Sequence, residues 1–138
     1  MLPGSGPRLY GYAACGTCRK AEVWLRERRF SLETIDITRQ PPSLKELQGA
    51  LAQLGRGRLF NTSGQSYRAL GAATVKAMDD ERALAALAAD GRLVKRPFLV
   101  TADGRIVTGF RPQEWQELLG GEIPPGPARV FRSPPVAP

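Results

Sequence analysis

The chain has 138 residues, 42% of them hydrophobic, which suits one globular domain with its own core and disfavours a second domain. Its formal charge is +7, but the basic residues are scattered, so they favour a solvated, arginine-rich surface over a dedicated nucleic-acid face. The absence of an apolar run of about 18 residues and of a signal-peptide pattern disfavours membrane spanning and export, and predicts a cytoplasmic protein.

The segment LYGYAACGTCRK, residues 9–20, contains the only two cysteines of the sequence. It predicts a short strand over residues 9–12, a tight turn, and a helix whose first turn carries Cys15 and Cys18. A helix N-terminus offers unpaired backbone N–H groups and a partial positive charge, and this field favours thiolate over thiol. Cys15, nearer the strand and more exposed, is therefore predicted to be the nucleophile, and Cys18 the resolving thiol.

Two other interpretations of this cysteine pair stay open. Cysteines can be small buried hydrophobes, and a CxxC pair can be half of a zinc site. The zinc interpretation is disfavoured because the chain has no histidine and no second cysteine pair, so no metal is predicted. The strand-turn-helix context favours a redox-active pair, whose disulfide would be transient rather than structural in the cytoplasm.

The next elements are predicted from hydrophobic periodicity and capping. Residues 17–29 place apolar side chains on one stripe among charged positions, which predicts a helix. Residues 30–37 mostly alternate apolar and polar side chains, which predicts a second strand. Ser43, followed three positions later by Glu46, predicts a capping box for a helix that Gly55 ends.

The second half of the chain predicts the remaining elements from turn residues and composition. They are residues 58–70 (a turn at NTSG between short helical pieces), 79–89 (a helix), 98–101 and 105–108 (two strands) and 112–119 (a last helix). The helix over residues 79–89 has acidic residues at its start and alanine and leucine throughout. The dipeptide Asp103-Gly104 is a hairpin signal between the two strands.

This order of elements predicts the fold class. The order β-α-β, helices, β-β-α is that of a thioredoxin-like domain, an α/β fold with a four-stranded mixed sheet and a helical insertion after the second strand. The CxxC turn would then lie at the end of the first strand, a region where open α/β sheets bind ligands. The domain is predicted over residues 8–121, between a flexible arm of residues 1–7 and a Pro-rich tail of residues 122–138.

Four segments of the sequence resemble one known family. They are ACGTC with the following RKA, NTSGQSYRAL, VKRPFLV and GFRPQEW. Together and in this order they are similar to the ArsC/Spx/MgsR family of arsenate reductase-like proteins, over residues 8–119. The resemblance implies a thioredoxin-like fold and a cis peptide bond before Pro97.

The resemblance also implies an anion-binding site. In the glutaredoxin-dependent arsenate reductases of this family, a nucleophilic cysteine that matches Cys15 works with three arginines that hold the oxyanion. The second arginine matches Arg96, the third matches Arg111, and the first falls at or near Asn61. An asparagine there removes a bidentate, charge-assisted clamp, which costs on the order of 1.5 to 3 kcal/mol. The full set of predicted substrate- or anion-binding residues is Gly16, Thr17, Asn61, Arg96 and Arg111.

Two functions follow from the resemblance. The first is a thiol-dependent oxidoreductase without a bound cofactor, which acts on an oxyanion or on a thiol or disulfide and takes electrons from glutathione, glutaredoxin or thioredoxin. The segment LFNTSGQSYRAL is more similar to a branch of small thiol reductases for which glutathione has been suggested. The second is a redox-switched transcriptional regulator that binds RNA polymerase, as Spx-type proteins with a CxxC in the matching place do. The CxxC supports both.

Overall fold

The computed structural model describes residues 6–120, so residues 1–5 of the predicted arm and the predicted tail lie outside the described residues. The strands are β1 (Arg8–Gly11), β2 (Glu33–Asp36), β3 (Phe98–Val100) and β4 (Ile106–Thr108). The α-helices are α1 (Gly16–Glu27), α2 (Leu44–Leu54), α3 (Gln65–Leu70), α4 (Ala72–Ala77), α5 (Asp80–Ala89) and α6 (Pro112–Gly120). No helix between residues 6 and 120 is long and apolar enough to span a bilayer.

The four strands form one mixed sheet in the order β2-β1-β3-β4. β1 pairs with β2 in parallel and with β3 antiparallel, and β3 pairs with β4 antiparallel. Helices α2 to α5 lie in the chain between β2 and β3, as an insertion. The predicted fold class, a thioredoxin-like mixed sheet with a helical insertion after the second strand, is confirmed.

The sheet separates two hydrophobic cores, because successive residues of a strand face opposite sides. Leu9 and Leu99 pack with the fully buried Trp115 of α6 in one core, which α1 also lines. Tyr10 and Phe98 belong to the other core, which the helices of the insertion cover. The central strands β1 and β3 are therefore buried on both faces, and they give the CxxC turn after β1 a rigid base.

Strand β2 is shorter than the sequence predicts. The alternation over residues 30–37 suggested one strand, but hydrogen bonding to β1 begins only at Glu33. Phe30 and Leu32 instead pack against the core of α1 and α6, and the Phe30 ring stacks on Trp24 with 6.5 Å between centroids. The apolar side chains of Phe30 and Leu32 therefore pack in the core from the segment before β2, and not from a face of the strand.

Helix α4 is absent from the sequence prediction. It has six residues and follows α3 directly, and Gly71 between them has a φ of +91°. A helix this short shows fewer than two turns of periodicity, so its pattern cannot be separated from that of a loop. Tertiary packing stabilises α4, because Val75 is buried in the core of the insertion.

The predicted capping box of α2 is present and has an additional role. The Ser43 Oγ accepts the Glu46 N–H at 3.1 Å, and Glu46 Oε1 accepts the Ser43 N–H at 2.8 Å. The same carboxylate accepts a hydrogen bond from the Tyr10 hydroxyl and one from Arg8 Nη2, each at 2.7 Å. Burial by itself would raise the pKa of Glu46, but these donors outweigh it and lower the pKa. Glu46 therefore ties α2 to β1.

We expect Glu46→Gln to lower the free energy of unfolding by about 2 kcal/mol at neutral pH, because Arg8 loses its charged partner. A lowered carboxyl pKa stabilises the fold above the unfolded pKa, and this contribution is lost as the pH falls through the folded pKa. The difference from wild type should therefore shrink in acid. Urea unfolding across a pH series measures it, with the exposed Glu117→Gln as control. A difference that does not change with pH would contradict this account.

Candidate active site

Cys15 caps the N-terminus of α1. The sequence placed both cysteines in the first helical turn, but Cys15 has extended backbone angles, φ −88° and ψ 116°, and precedes the helix by one residue. Its N–H donates to the Tyr12 carbonyl at 2.9 Å, which closes the turn after β1. Its Sγ accepts the Cys18 N–H at 3.3 Å. The thiol thus occupies the capping position where a helix N-terminus stabilises negative charge.

The two thiols have opposite protonation preferences. Cys18 has no exposed surface, and burial raises its pKa to about 12, with a further contribution from the hydrogen bond to Cys15. Cys15 is only half-buried. Burial would raise the pKa of Cys15 as well, but hydrogen bonds from the Cys18 thiol and N–H and the nearby Arg96 guanidinium outweigh it and lower the pKa. The half-buried Cys15 therefore ionises at a lower pH than the fully buried Cys18.

Gly11, the last residue of β1, lies next to the inner thiol. A Cβ at this buried position would lie 3.4 Å from the Cys18 Sγ, an ordinary van der Waals distance. The first turn of α1 therefore packs against the end of β1, where Cys18 has no exposed surface.

Arg96 supplies a positive charge next to the thiolate. It is half-buried, and the Arg96–Pro97 peptide bond that follows it is cis. Its guanidinium carbon lies 5.4 Å from the centroid of the Tyr12 ring, and the same group lies beside the Cys15 thiol. Among residues 6–120, no carboxylate forms an ion pair with Arg96. The charge of Arg96 therefore acts on the Cys15 sulfur without a competing carboxylate in this part of the chain.

The other predicted anion-binding residues lie on three different segments. Gly16 and Thr17 are exposed and form the start of α1, directly after the nucleophile candidate. Arg111 is exposed and precedes α6, on a loop whose Gly109 N–H donates to the Pro97 carbonyl at 2.9 Å. The loop of Arg111 thus adjoins the segment of Arg96.

Asn61 belongs to a turn of the insertion. Its N–H donates to the Leu93 carbonyl at 2.7 Å, so this turn runs alongside the segment that leads to Arg96. The described contacts of its side chain are local: Oδ1 accepts the Ser63 hydroxyl at 3.2 Å, and Nδ2 lies against Gly64. The structure therefore shows the Asn61 amide oxygen hydrogen-bonded within its own turn, while its backbone is anchored to Leu93.

Arg58 makes long-range contacts that sequence reasoning missed. In the sequence, Arg58 is one of many scattered basic residues. In the structure, the Arg58 guanidinium donates to the Thr108 carbonyl at 2.7 Å and to Glu114 Oε1 at 2.8 Å. These partners come 50 and 56 residues later in the chain. No local sequence pattern predicts this contact, because neither Thr108 nor Glu114 lies in the same element as Arg58 or at a fixed short spacing from it.

Comparison with known proteins identifies the family. The sequence model of the ArsC family matches residues 10–118, which is most of the chain and runs from β1 into α6. The chain belongs to the ArsC family. Among relatives, YusI from Bacillus subtilis (strain 168) is 42% identical to this ArsC-family protein over 113 residues, 79% of this chain and 94% of YusI. The regulatory protein MgsR from the same strain is 27% identical over 112 residues, 80% of this chain and 87% of MgsR.

Solved structures agree with this assignment. An ArsC family related protein from Bacteroides fragilis superposes on this ArsC-family protein with a TM-score of 0.74 at 36% identity, covering 81% of this chain and 96% of its own. A possible arsenate reductase from Streptococcus mutans UA159 superposes with a TM-score of 0.73 at 37% identity, covering 80% of this chain and 97% of its own. The resemblance inferred from four sequence segments is confirmed as family membership.

The contribution of Arg96 to the Cys15 thiolate can be measured directly. We expect Arg96→Gln to move the midpoint of Cys15 alkylation by iodoacetamide to higher pH, because the thiolate loses a neighbouring positive charge. Below the wild-type midpoint, the variant should therefore react more slowly. Arg92→Gln, an exposed arginine four positions earlier, is the matched control. Equal midpoints in the two variants would show that Arg96 does not act on the thiolate.

Proposed function

We propose that this protein is a thiol-dependent oxidoreductase in which Cys15 is the nucleophile and Cys18 the resolving thiol. The observation that carries the proposal is the pairing of a half-exposed thiol of lowered pKa with a fully buried thiol of raised pKa. An accessible thiolate attacks, whereas a shielded, protonated thiol waits until the first sulfur has reacted. The cation of Arg96 beside the thiolate favours a substrate that carries or develops negative charge.

The reaction with a disulfide substrate balances in two exchanges. The Cys15 thiolate attacks one sulfur of the substrate, forms a mixed disulfide and releases the other half as a thiolate. Once Cys15 Sγ is no longer negative, Cys18 gives up its proton to solvent or to the departing thiolate and attacks Cys15 Sγ. The second half of the substrate leaves as a thiol, and the chain is left with a Cys15–Cys18 disulfide. The substrate gains two electrons and the protein loses two.

An external dithiol or two monothiols must then reduce the protein. Glutathione, glutaredoxin or thioredoxin would supply these electrons, and a cytoplasmic location would keep them reduced. Arsenate is the alternative substrate: with two protein thiols it would give arsenite, water and the same protein disulfide. We favour a disulfide over arsenate, because Asn61, at or near the position of the first arginine, carries no charge.

A single-turnover measurement tests the proposal. The reduced protein is freed of reductant and mixed with oxidised glutathione or, in a parallel arm, with arsenate. We expect oxidised glutathione to produce one intramolecular disulfide per chain, seen as a mass loss of two hydrogens, and two molecules of released glutathione. A protein that stays fully reduced in both arms at neutral pH would overturn the proposal. A disulfide formed with arsenate alone would move the substrate assignment to the oxyanion.

A second candidate is a redox-switched regulator, favoured by the likeness to the regulatory protein MgsR over most of both chains. In this function the same Cys15–Cys18 disulfide would alter the affinity for a transcription partner, with RNA polymerase as the one that the resemblance to Spx-type proteins implies. Binding of the reduced and oxidised protein to RNA polymerase, measured side by side, tests it. Equal binding of the two forms, or none, would remove this candidate and leave the enzyme.

A further inference from the structure

The guanidinium of Arg58 holds one carboxylate of α6 with two nitrogens. Nη2 donates to Glu114 Oε1 at 2.8 Å and Nη1 donates to Glu114 Oε2 at 3.3 Å. Nη2 also donates to the Thr108 carbonyl, and the Thr108 hydroxyl donates back to the Arg58 carbonyl. The Arg58 side chain is 21% exposed and that of Glu114 35%. Such a two-pronged pair fixes the direction of the carboxylate as well as its distance.

Glu114 has a second cation within reach. Arg111 precedes it by three residues, and side chains three positions apart at the start of a helix are neighbours. Arg111 is exposed and forms no ion pair with a carboxylate between residues 6 and 120. Hydrogen bonding to Arg58 is the largest cause of the lowered pKa of Glu114, and the charge of Arg111 contributes least. The carboxylate is thus committed to Arg58.

The Nε of Arg58 indicates that the contacts with Glu114 and Thr108 are formed in spite of an unfavourable burial. It is buried and has no hydrogen-bond partner within the described residues. A guanidinium nitrogen that loses water without gaining a partner costs free energy, so the surrounding contacts must compensate for it. The contacts of Arg58 with Glu114 and Thr108 therefore include an unfavourable desolvation free energy at Nε. An arginine exposed to solvent would not have this penalty.

We propose that Arg58 is a positioning residue of the anion site: by holding the Glu114 carboxylate, it keeps the charge of Arg111 free for an anionic substrate. The inference rests on the proposed function, in which anions approach Cys15. Arg111 lies on the loop of Gly109, whose N–H donates to the Pro97 carbonyl. Pro97 is the residue directly after Arg96. Without Arg58, Glu114 would turn to Arg111 and neutralise it.

Alkylation of Cys15 by two reagents of different charge tests this without requiring turnover. Iodoacetate is an anion and iodoacetamide is neutral, and both react with the same thiolate. The ratio of their rate constants therefore cancels the thiolate fraction and reports the electrostatic potential that an anion meets on approach. The variants are Arg58→Gln, Arg111→Gln, Glu114→Gln and the double variant Arg58→Gln/Glu114→Gln, with Arg92→Gln as a matched control for loss of one exposed positive charge.

We expect Arg58→Gln and Arg111→Gln each to lower the ratio of iodoacetate to iodoacetamide rates by about two- to threefold, the size of one exposed ion pair. The double variant should return to the wild-type ratio, because no carboxylate is left to occupy Arg111. Glu114→Gln alone should not lower the ratio. If Arg58→Gln does not fold, Arg58→Lys should give a smaller fall that Glu114→Gln again reverses.

Three results would overturn the inference. They are an unchanged ratio in Arg58→Gln, an unchanged ratio in Arg111→Gln, and a double variant that stays as low as Arg58→Gln. The last result would assign Arg58 a purely structural role, since removing both partners cannot repair packing that the loss of one has damaged. Failure of the proposed function would give a different result. The wild-type protein would form no disulfide with oxidised glutathione, while the alkylation ratios would still change in the Arg58 and Arg111 variants.

Discussion

Cys18→Ser should accumulate a stable mixed disulfide between Cys15 and glutathione when the reduced protein meets oxidised glutathione. The first exchange needs only the Cys15 thiolate, while release of the adduct needs the Cys18 sulfur, which lies one helical turn inside. Cys15→Ser should form no adduct, because the remaining thiol is fully buried and burial raises its pKa to about 12. We expect multiple-turnover reduction to fall by about a thousandfold or more in Cys15→Ser, since a serine hydroxyl does not replace the thiolate.

Intact-mass analysis before and after treatment with a reductant measures this trapping. The adduct on Cys18→Ser should disappear on reduction, and peptide mapping should place it on residue 15. The two single variants serve as each other's control, because each retains one of the two cysteines in the chain. Adducts of equal amount on both variants would reverse or abolish the assignment of nucleophile and resolving thiol.

Gly91→Ala should produce the largest loss of stability expected from any change described here. Gly91 is buried in the 3-10 turn Gly91–Leu93, and a Cβ at this position would overlap the backbone carbonyl oxygen of Ile37. Ile37 is itself fully buried after β2, so neither segment can move away freely. We expect the free energy of unfolding to fall by about 3 kcal/mol or more, the upper range for overpacking a close-packed interior.

Gly57→Ala is the matched control for this change. Gly57 lies in the other 3-10 turn, Arg56–Arg58, and a Cβ there would meet nothing within 4 Å. Its replacement should leave stability nearly unchanged, within about half a kcal/mol. Urea unfolding of both variants at neutral pH makes the comparison. A Gly91→Ala protein as stable as Gly57→Ala would show that the contact with Ile37 yields easily.

Local sequence patterns determined much of the framework of this protein. The CxxC at a strand-to-helix junction, the capping box of Ser43 and Glu46 and the helix over residues 79–89 can all be recognised within a few positions. They are local because a cap, a turn or an amphipathic stripe depends on neighbours at fixed short spacings. The same holds for the hairpin between β3 and β4, where Gly104 has a φ of +88°. The order of such elements was enough for the fold class.

The chemistry of the candidate site was only partly local. That Cys15 would meet a helix N-terminus followed from its position, but its exact place as the cap depended on the turn that the Tyr12 carbonyl closes. The burial of Cys18 and its close contact with Gly11 also needed the sheet to be in place. Resemblance to a family named Arg96 and Arg111, but not what surrounds them.

Only the tertiary structure decided which distant side chains meet. Arg96 reaches Cys15 and Tyr12 because β3 pairs with β1, and Arg58 reaches Glu114 at the end of β4, where Thr108 binds both its backbone and its side chain. It likewise shortened β2, added α4 and packed Gly91 against Ile37. The physical reason is common to all of these: hydrophobic burial has no direction and no fixed spacing along the chain, so the partners it brings together are settled only when the whole core closes.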